Sequence, residues 1–178
     1  SLDPELVKQA TAGDQSAFRV IVESHSQMVF RLAYRLTQNE SAAEDVVQES
    51  FIKVYRKLKQ FKFQSSLHSW IHRITVNTAM DYLRRQRHLE INTEPTALPE
   101  PAADTSQLCA AEQNEIQQRT QQLLKQLSPL ERAALSLRHF EGYSIKEIAQ
   151  TLKLGDSACK QAIFRAVKKL RLALEPWS

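Results

Sequence analysis

Two stretches of this chain hold side chains whose types and spacing suit chemistry. The first is SWIHRITVNTAMDYLRRQR, residues 69–87. At about 100° per residue, a helix here sets Ile71, Thr75, Val76, Thr78, Ala79, Tyr82 and Leu83 on one broad side, which reads as core. The other side carries Trp70, Arg73, Ile74, Asn77, Asp81 and Arg84, with Arg85 beside them. Burial in the chain's own core does not explain that second set. A partner outside the chain is expected for it. Trp70 also admits a bland reading, in which it packs beneath the preceding segment KFQSSLH.

The second stretch is YSIKEIAQTLKLGDSACKQAIFRAVKKLR, residues 143–171. Ile145, Ile148, Ala149 and Leu152 form the apolar face of one short helix, and Cys159, Ile163, Ala166, Val167 and Leu170 that of a second, with a turn around residues 154–156. This is the layout of a helix-turn-helix. The start of its second helix offers Ser157, Ala158, Lys160, Gln161, Phe164 and Arg165. In a major groove Gln pairs with adenine, and Lys or Arg with guanine or phosphate. A solvated amphipathic hairpin is the bland reading of the same pattern.

Other chemistry is poorly supported. His68 and His72 share a helical face, but the Glu that a zinc protease places after its first His is Ser69 here. There is no glycine-rich phosphate loop, and Cys109 and Cys159 form no CxxC pair, so reduced thiols, no metal, no cofactor and no enzyme are expected. No run approaches the roughly 20 apolar residues of a membrane span, and the start lacks the order of a signal peptide, which points to the cytoplasm. A chain opening on Ser1 rather than Met is expected to have a missing or processed start.

The elements that position these residues read as helices. The 178 residues are 42% apolar and contain only three glycines, with few β-branched runs, which predicts an all-α protein. Asp3 and Pro4 open a first helix that stops near Gly13. A second begins near Asp14 and ends around Asn39, and a third follows from a capping box made by Ser41 and Glu44. With the helix over 69–87 these make a bundle over residues 1–87. Residues 88–112 are rich in Pro, Ala, Thr and acid and read as a flexible linker. A helix-turn-helix domain then spans residues 113–178, with Ser128, Pro129 and Glu131 opening one of its helices.

Charge follows this division. Residues 1–87 carry 13 Lys/Arg against 9 Asp/Glu, residues 88–118 none against 6, and residues 119–178 carry 11 against 5. Two basic blocks that suit a polyanion flank an acidic one.

In this order the pieces resemble an extracytoplasmic-function (ECF) sigma factor of the sigma-70 family, a promoter-recognition subunit of bacterial RNA polymerase. The resemblance rests on AEDVVQESFIKVYRKLKQF, SWIHRITVNTAMDYLRR, LSPLERAALSLRHFEGYSIKEIAQTLKL and IFRAVKKLRLAL. It implies that the first domain binds the β′ clamp of core RNA polymerase through Asp45, Gln48 and Glu49. It also implies that this domain recognises and melts the minus-10 element of promoter DNA, capturing an everted base. Phe63, Ser65, Trp70, Arg73, Asn77, Asp81, Arg84 and Arg85 are the residues implied there. The second domain is implied to dock on the minus-35 element, through Ser157, Ala158, Lys160, Gln161, Phe164 and Arg165, and on the β flap. An anti-sigma factor, often membrane-anchored, is implied as the regulator.

The chain departs from the family in two places. Its recognition helix begins Ser-Ala-Cys-Lys-Gln-Ala where members commonly have Gly-Thr-Val-Lys-Ser-Arg, so Lys160, Gln161 and Arg165 must carry more of the minus-35 reading. Gln64 stands where a glycine is frequent. The acidic linker either mimics nascent RNA in the polymerase cleft or is a plain tether. The rival function is a conventional helix-turn-helix regulator whose first domain senses a ligand or partner.

Overall fold

The structure, a computed structural model, describes residues 2–92 and 111–175. Eight α-helices are described, with no strand among the described residues. Residues 93–110, most of the expected linker and Cys109, lie outside them.

Local side-chain chemistry sets the helix starts. Helix α1 (Pro4–Thr11) begins where the Asp3 carboxylate accepts from Glu5 N at 3.0 Å, and α2 (Gln15–Thr37) where Asp14 accepts from Ser16 N and Ala17 N. Helix α3 (Glu40–Lys57) is capped by Asn39, whose Oδ1 accepts from Ala42 N at 2.9 Å. This corrects the expected Ser41–Glu44 box. The extended backbone of Asn39 places it at the cap, which leaves Ser41 inside the first turn.

A 3-10 turn (Leu58–Gln60) and an irregular segment lead into α4 (Leu67–Asn92), where Ser66 Oγ accepts from Ser69 N. Helix α4 continues five residues past the expected boundary at residue 87. Helices α5 (Ala111–Lys125), α6 (Pro129–His139), α7 (Ile145–Leu152) and α8 (Asp156–Leu174) follow. The Ser128–Glu131 capping box opens α6 as expected.

Three apolar clusters hold the helices together. One, around Ile21, Val29, Val54, Leu58 and Ile71, joins α2, α3 and α4. Another, around Leu124, Leu127, Leu135 and Ala166, fastens α5 to α6 and α8. The largest runs from Leu36, Val46 and Val76 of the first bundle into Leu137, Ile148, Leu152 and Cys159 of the second. Each fully buried aliphatic side chain contributes about 1.5–3 kcal/mol. The two helical units therefore share a core instead of standing apart.

A polar bridge borders that shared core. Arg35 Nη1 donates to Glu141 Oε1 at 2.9 Å, and the Arg35 guanidinium lies 4.5 Å from the Phe140 ring centroid. Buried His72 places Nδ1 2.6 Å from the Tyr143 hydroxyl. Its Nε2 is 3.1 Å from Glu141 Oε2, without hydrogen-bond alignment, and the two form an ion pair when the imidazole is protonated. The His72 imidazole, and after it the Arg35 guanidinium, hold the Glu141 carboxyl below the usual carboxylate range.

Candidate nucleic-acid interface

Helix α4 divides its faces much as its spacing implies. Ile71, Thr75, Val76, Thr78 and Ala79 are all fully buried, while Arg73, Asn77, Arg84 and Arg85 are exposed and Asp81 is half-buried. Trp70 and Ile74 differ from expectation, because both are half-buried and pack against the cluster of Ile21, Leu58 and Ile71. The cause is tertiary. The segment after the 3-10 turn folds back, burying Phe61, whose ring lies 5.2 Å from that of Trp70. Trp70 thus packs beneath the preceding segment.

The arginines are not a free cationic row. Arg84 donates to Asp81 at 2.7 Å, and Arg85 to Glu49 at 2.8 Å. Glu49 also pairs with Lys53 at 3.3 Å, and the Arg85 bond is the chief cause holding its carboxyl below the usual range. One turn away, the Tyr82 hydroxyl reaches Asp45 Oδ2 at 3.4 Å. Burial and then the Asp45 charge push the Tyr82 phenol up. Asp45 and Gln48 are exposed, and all three α3 residues singled out in the sequence share one surface with the end of α4.

Phe63 is a strained point beside this face. Its φ is +58°, a left-handed conformation unusual for a bulky side chain, and it remains 48% exposed with its ring 4.7 Å from Phe61. With Ser65 it borders a half-open cavity of about 590 Å³ reaching between the segment 61–67, α1 and α2. Leu2 and Val7 supply apolar wall, and His25 and His68 supply imidazoles. Neither histidine was singled out from sequence as a site residue for nucleic acid. The available signal was His25 itself, a polar residue in the apolar stripe of α2 between Ile21 and Val29. Desolvation, then the neighbouring His25 and His72, push the His68 imidazole down.

A smaller polar cleft of about 230 Å³ lies between α4 and α7. Arg73 and Asn77 form one wall, and Tyr143, Glu147, Gln150 and Thr151 the other. The face expected to meet DNA is thus partly roofed by the second helical unit.

In that unit α7 ends at Lys153, which takes the left-handed conformation, and α8 starts after Gly155. Cys159, Ala162 and Ala166 point into the core, and Ser157, Ala158, Lys160, Gln161, Phe164 and Arg165 are exposed along the remaining face. Phe164 is 69% exposed. All six residues expected to meet DNA are therefore open to a groove.

Among the described residues no group of His, Cys, Asp and Glu is arranged to hold a metal, and no helix is long and apolar enough to cross a membrane.

Residues 21–89 match the family described as Sigma-70 region 2, and residues 117–170 the family described as Sigma-70, region 4. The chain is 32% identical to the RNA polymerase sigma-H factor of Pseudomonas aeruginosa, over 98% of this chain and 94% of that one. It belongs to the sigma-70 family, as an ECF sigma factor. It is also 30% identical to the ECF RNA polymerase sigma-E factor of Haemophilus influenzae, over 98% of this chain and 96% of the relative. Among solved structures it is similar to CnrH in complex with the cytosolic domain of CnrY, at 27% identity and a TM-score of 0.60 over 97% of each chain. The sigma factor RpoE of Bartonella quintana, solved with the anti-sigma factor NepR, shares the fold at 21% identity and a TM-score of 0.67, covering 89% of this chain and 96% of that one. In this sigma factor, region 2 comprises α2 to α4 and region 4 comprises α5 to α8. Its role is promoter-specific initiation by RNA polymerase.

Proposed function

We propose that this sigma factor opens promoters by drawing an everted non-template base of the minus-10 element into the cavity beside Phe63. Arg73 and Asn77 meet the neighbouring nucleotides, Arg84 and Arg85 the phosphates, and Asp81 orients Arg84. Trp70 acts indirectly by supporting Phe61 and the segment above it. The observation that carries this reading is Phe63, a half-exposed aromatic ring held in a strained conformation at the mouth of a cavity. Everting a base costs a few kcal/mol, and stacking at about 1–3 kcal/mol per base offsets it.

In the same reading α8 enters the major groove of the minus-35 element with Lys160, Gln161 and Arg165 reading it, and Ser157, Ala158 and Phe164 flanking. Asp45, Gln48 and Glu49 face the β′ clamp, and region 4 also docks on the β flap. The protein acts in the cytoplasm with the polymerase. An anti-sigma factor covers these surfaces until the inducing signal arrives. CnrH, 27% identical, has been solved bound to the cytosolic domain of CnrY, which supports a membrane-anchored inhibitor.

Reconstitution with bacterial core polymerase on a library of promoter fragments tests the assignment. The expected result is selection of two-element promoters with permanganate-reactive thymines around minus 10. Trp70→Ala and Phe63→Ala should lower that reactivity more than core binding. If the protein binds duplex DNA but supports no initiation, the conventional regulator is the better account.

A further inference from the structure

The cavity beside Phe63 has a floor as well as a rim. Most of its polar lining is at the exposed mouth, where Ser24, Ser66 and His68 stand open to solvent. His25 is the exception, being 6% exposed. Its Nδ1 lies 2.8 Å from the carbonyl oxygen of Ile21, one turn earlier in α2. A carbonyl only accepts, so Nδ1 carries the proton. In the neutral ring Nε2 is then left with its lone pair free. No hydrogen bond from the described residues reaches Nε2, and that atom is not sealed from solvent. His25 is one of the residues that line the cavity.

A single fixed acceptor beneath an aromatic rim is a discriminating arrangement. A base stacked at Phe63 turns an edge towards the floor. Adenine, cytosine and guanine carry exocyclic amino groups that donate to Nε2 from the rim of the base, whereas thymine has only its ring N–H, set back between two carbonyl oxygens. A carbonyl facing a lone pair is repelled, and the desolvated imidazole nitrogen then goes without a partner.

We propose that His25 is a specificity-determining residue of region 2, whose Nε2 accepts a hydrogen bond from the amino group of the everted base and so favours adenine, cytosine or guanine over thymine there. The inference rests on the reading of the cavity as the site of the everted base. One neutral hydrogen bond corresponds to a preference of about three- to tenfold.

The test uses holoenzyme made from the full chain and core polymerase. Permanganate and transcript assays are run on a selected promoter carrying an abasic site at each non-template position of the minus-10 element in turn. The position most sensitive to base removal, and to Phe63→Ala, is the everted one. There adenine, cytosine or guanine should exceed thymine by about three- to tenfold, and His25→Phe, which keeps a ring but removes the acceptor, should abolish the preference. Replacing adenine by purine deletes only the amino group and should cost the wild-type protein the same factor but cost nothing in His25→Phe, or in His25→Leu should His25→Phe fold poorly. Equal use of adenine and purine, or an unchanged preference in a folded His25→Phe or His25→Leu protein, overturns the assignment to His25 while leaving the cavity reading intact. If no position is sensitive to base removal, the cavity reading itself fails, and this inference with it.

Discussion

Arg35→Ala tests whether the polar bridge holds regions 2 and 4 together. The Arg35–Glu141 bond is charge-assisted, and buried bonds of that type contribute about 1.5–3 kcal/mol. Both side chains are 26% exposed, so solvent screening reduces this to about 1 kcal/mol. Loss of the guanidinium over Phe140 adds about 0.5–1 kcal/mol. Together they shift the balance between packed and separated units by about 1.5–2 kcal/mol, or ten- to thirtyfold. The substitution leaves the shared apolar cluster intact, so each unit should keep its own fold.

The separation can be read by energy transfer between dyes on Lys57→Cys and Lys168→Cys, both exposed, with Cys109 changed to Ser. Cys159 is buried, and burial pushes its thiol up, so it competes little for label. The expected result is a larger population at long distance and a lower urea midpoint, with Arg31→Ala, an exposed charge on the same helix, behaving as wild type. Separation also clears the cleft between α4 and α7, whose 230 Å³ is too small for a DNA strand to cross. Binding of a minus-10 single strand to the free protein should therefore tighten, by at most the same factor. An Arg35→Ala protein with wild-type distances and midpoint would refute the bridge.

Three further outcomes are expected. Phe63→Gly should stay within about 1 kcal/mol of wild-type stability in urea, because relief of the left-handed strain offsets the lost Phe61 contact. The same change should reduce open-complex formation at least fivefold, as loss of about 1–3 kcal/mol of stacking requires. Lys160→Ala and Gln161→Ala should each weaken minus-35 binding by about 1–3 kcal/mol in footprints without altering core binding, and Gln161→Ala should relax selection at one base pair. Glu141 has a folded-state pKa below its unfolded one, so its stabilisation is full above about pH 4.3 and is lost as pH falls through the lower folded value. A plot of urea midpoint against pH should thus fall less steeply on its acid side for Glu141→Gln than for wild type.

What the sequence made legible were features written within a few residues. The Ser128–Glu131 box, the Asp3 and Asp14 caps and the alternation of Cys159 and Ala166 with Lys160, Gln161 and Phe164 follow from spacing alone. Asn39 and Ser41 are both good caps two residues apart, and only the extended backbone at Asn39 decides between them. The position of Trp70 depends on a segment that folds back over it, and helical periodicity carries no trace of that contact. Arg35 and Glu141 are 106 residues apart, so their pairing leaves no local pattern. His25 was hidden because a single polar residue within an apolar stripe ordinarily reads as a satisfied core position. Its role at the cavity becomes visible once Ile21 is seen to occupy Nδ1.

Glu49 ties together two surfaces whose roles the sequence treats separately. It belongs to the α3 face proposed for the polymerase clamp, yet its carboxylate is held by Arg85 from the end of the helix proposed for minus-10 DNA. A contact that draws Glu49 towards the clamp releases Arg85 for a phosphate, and a phosphate on Arg85 releases Glu49. By linkage the two effects must be equal. The pair is about half exposed on the arginine side, which limits its strength to about 1 kcal/mol, so the coupling cannot exceed about fivefold. A term of that size does not decide whether promoter DNA binds, but it favours the state in which polymerase and DNA are held together over either partner alone. That is the direction a promoter-recognition subunit requires, since free of polymerase it gains nothing from occupying DNA.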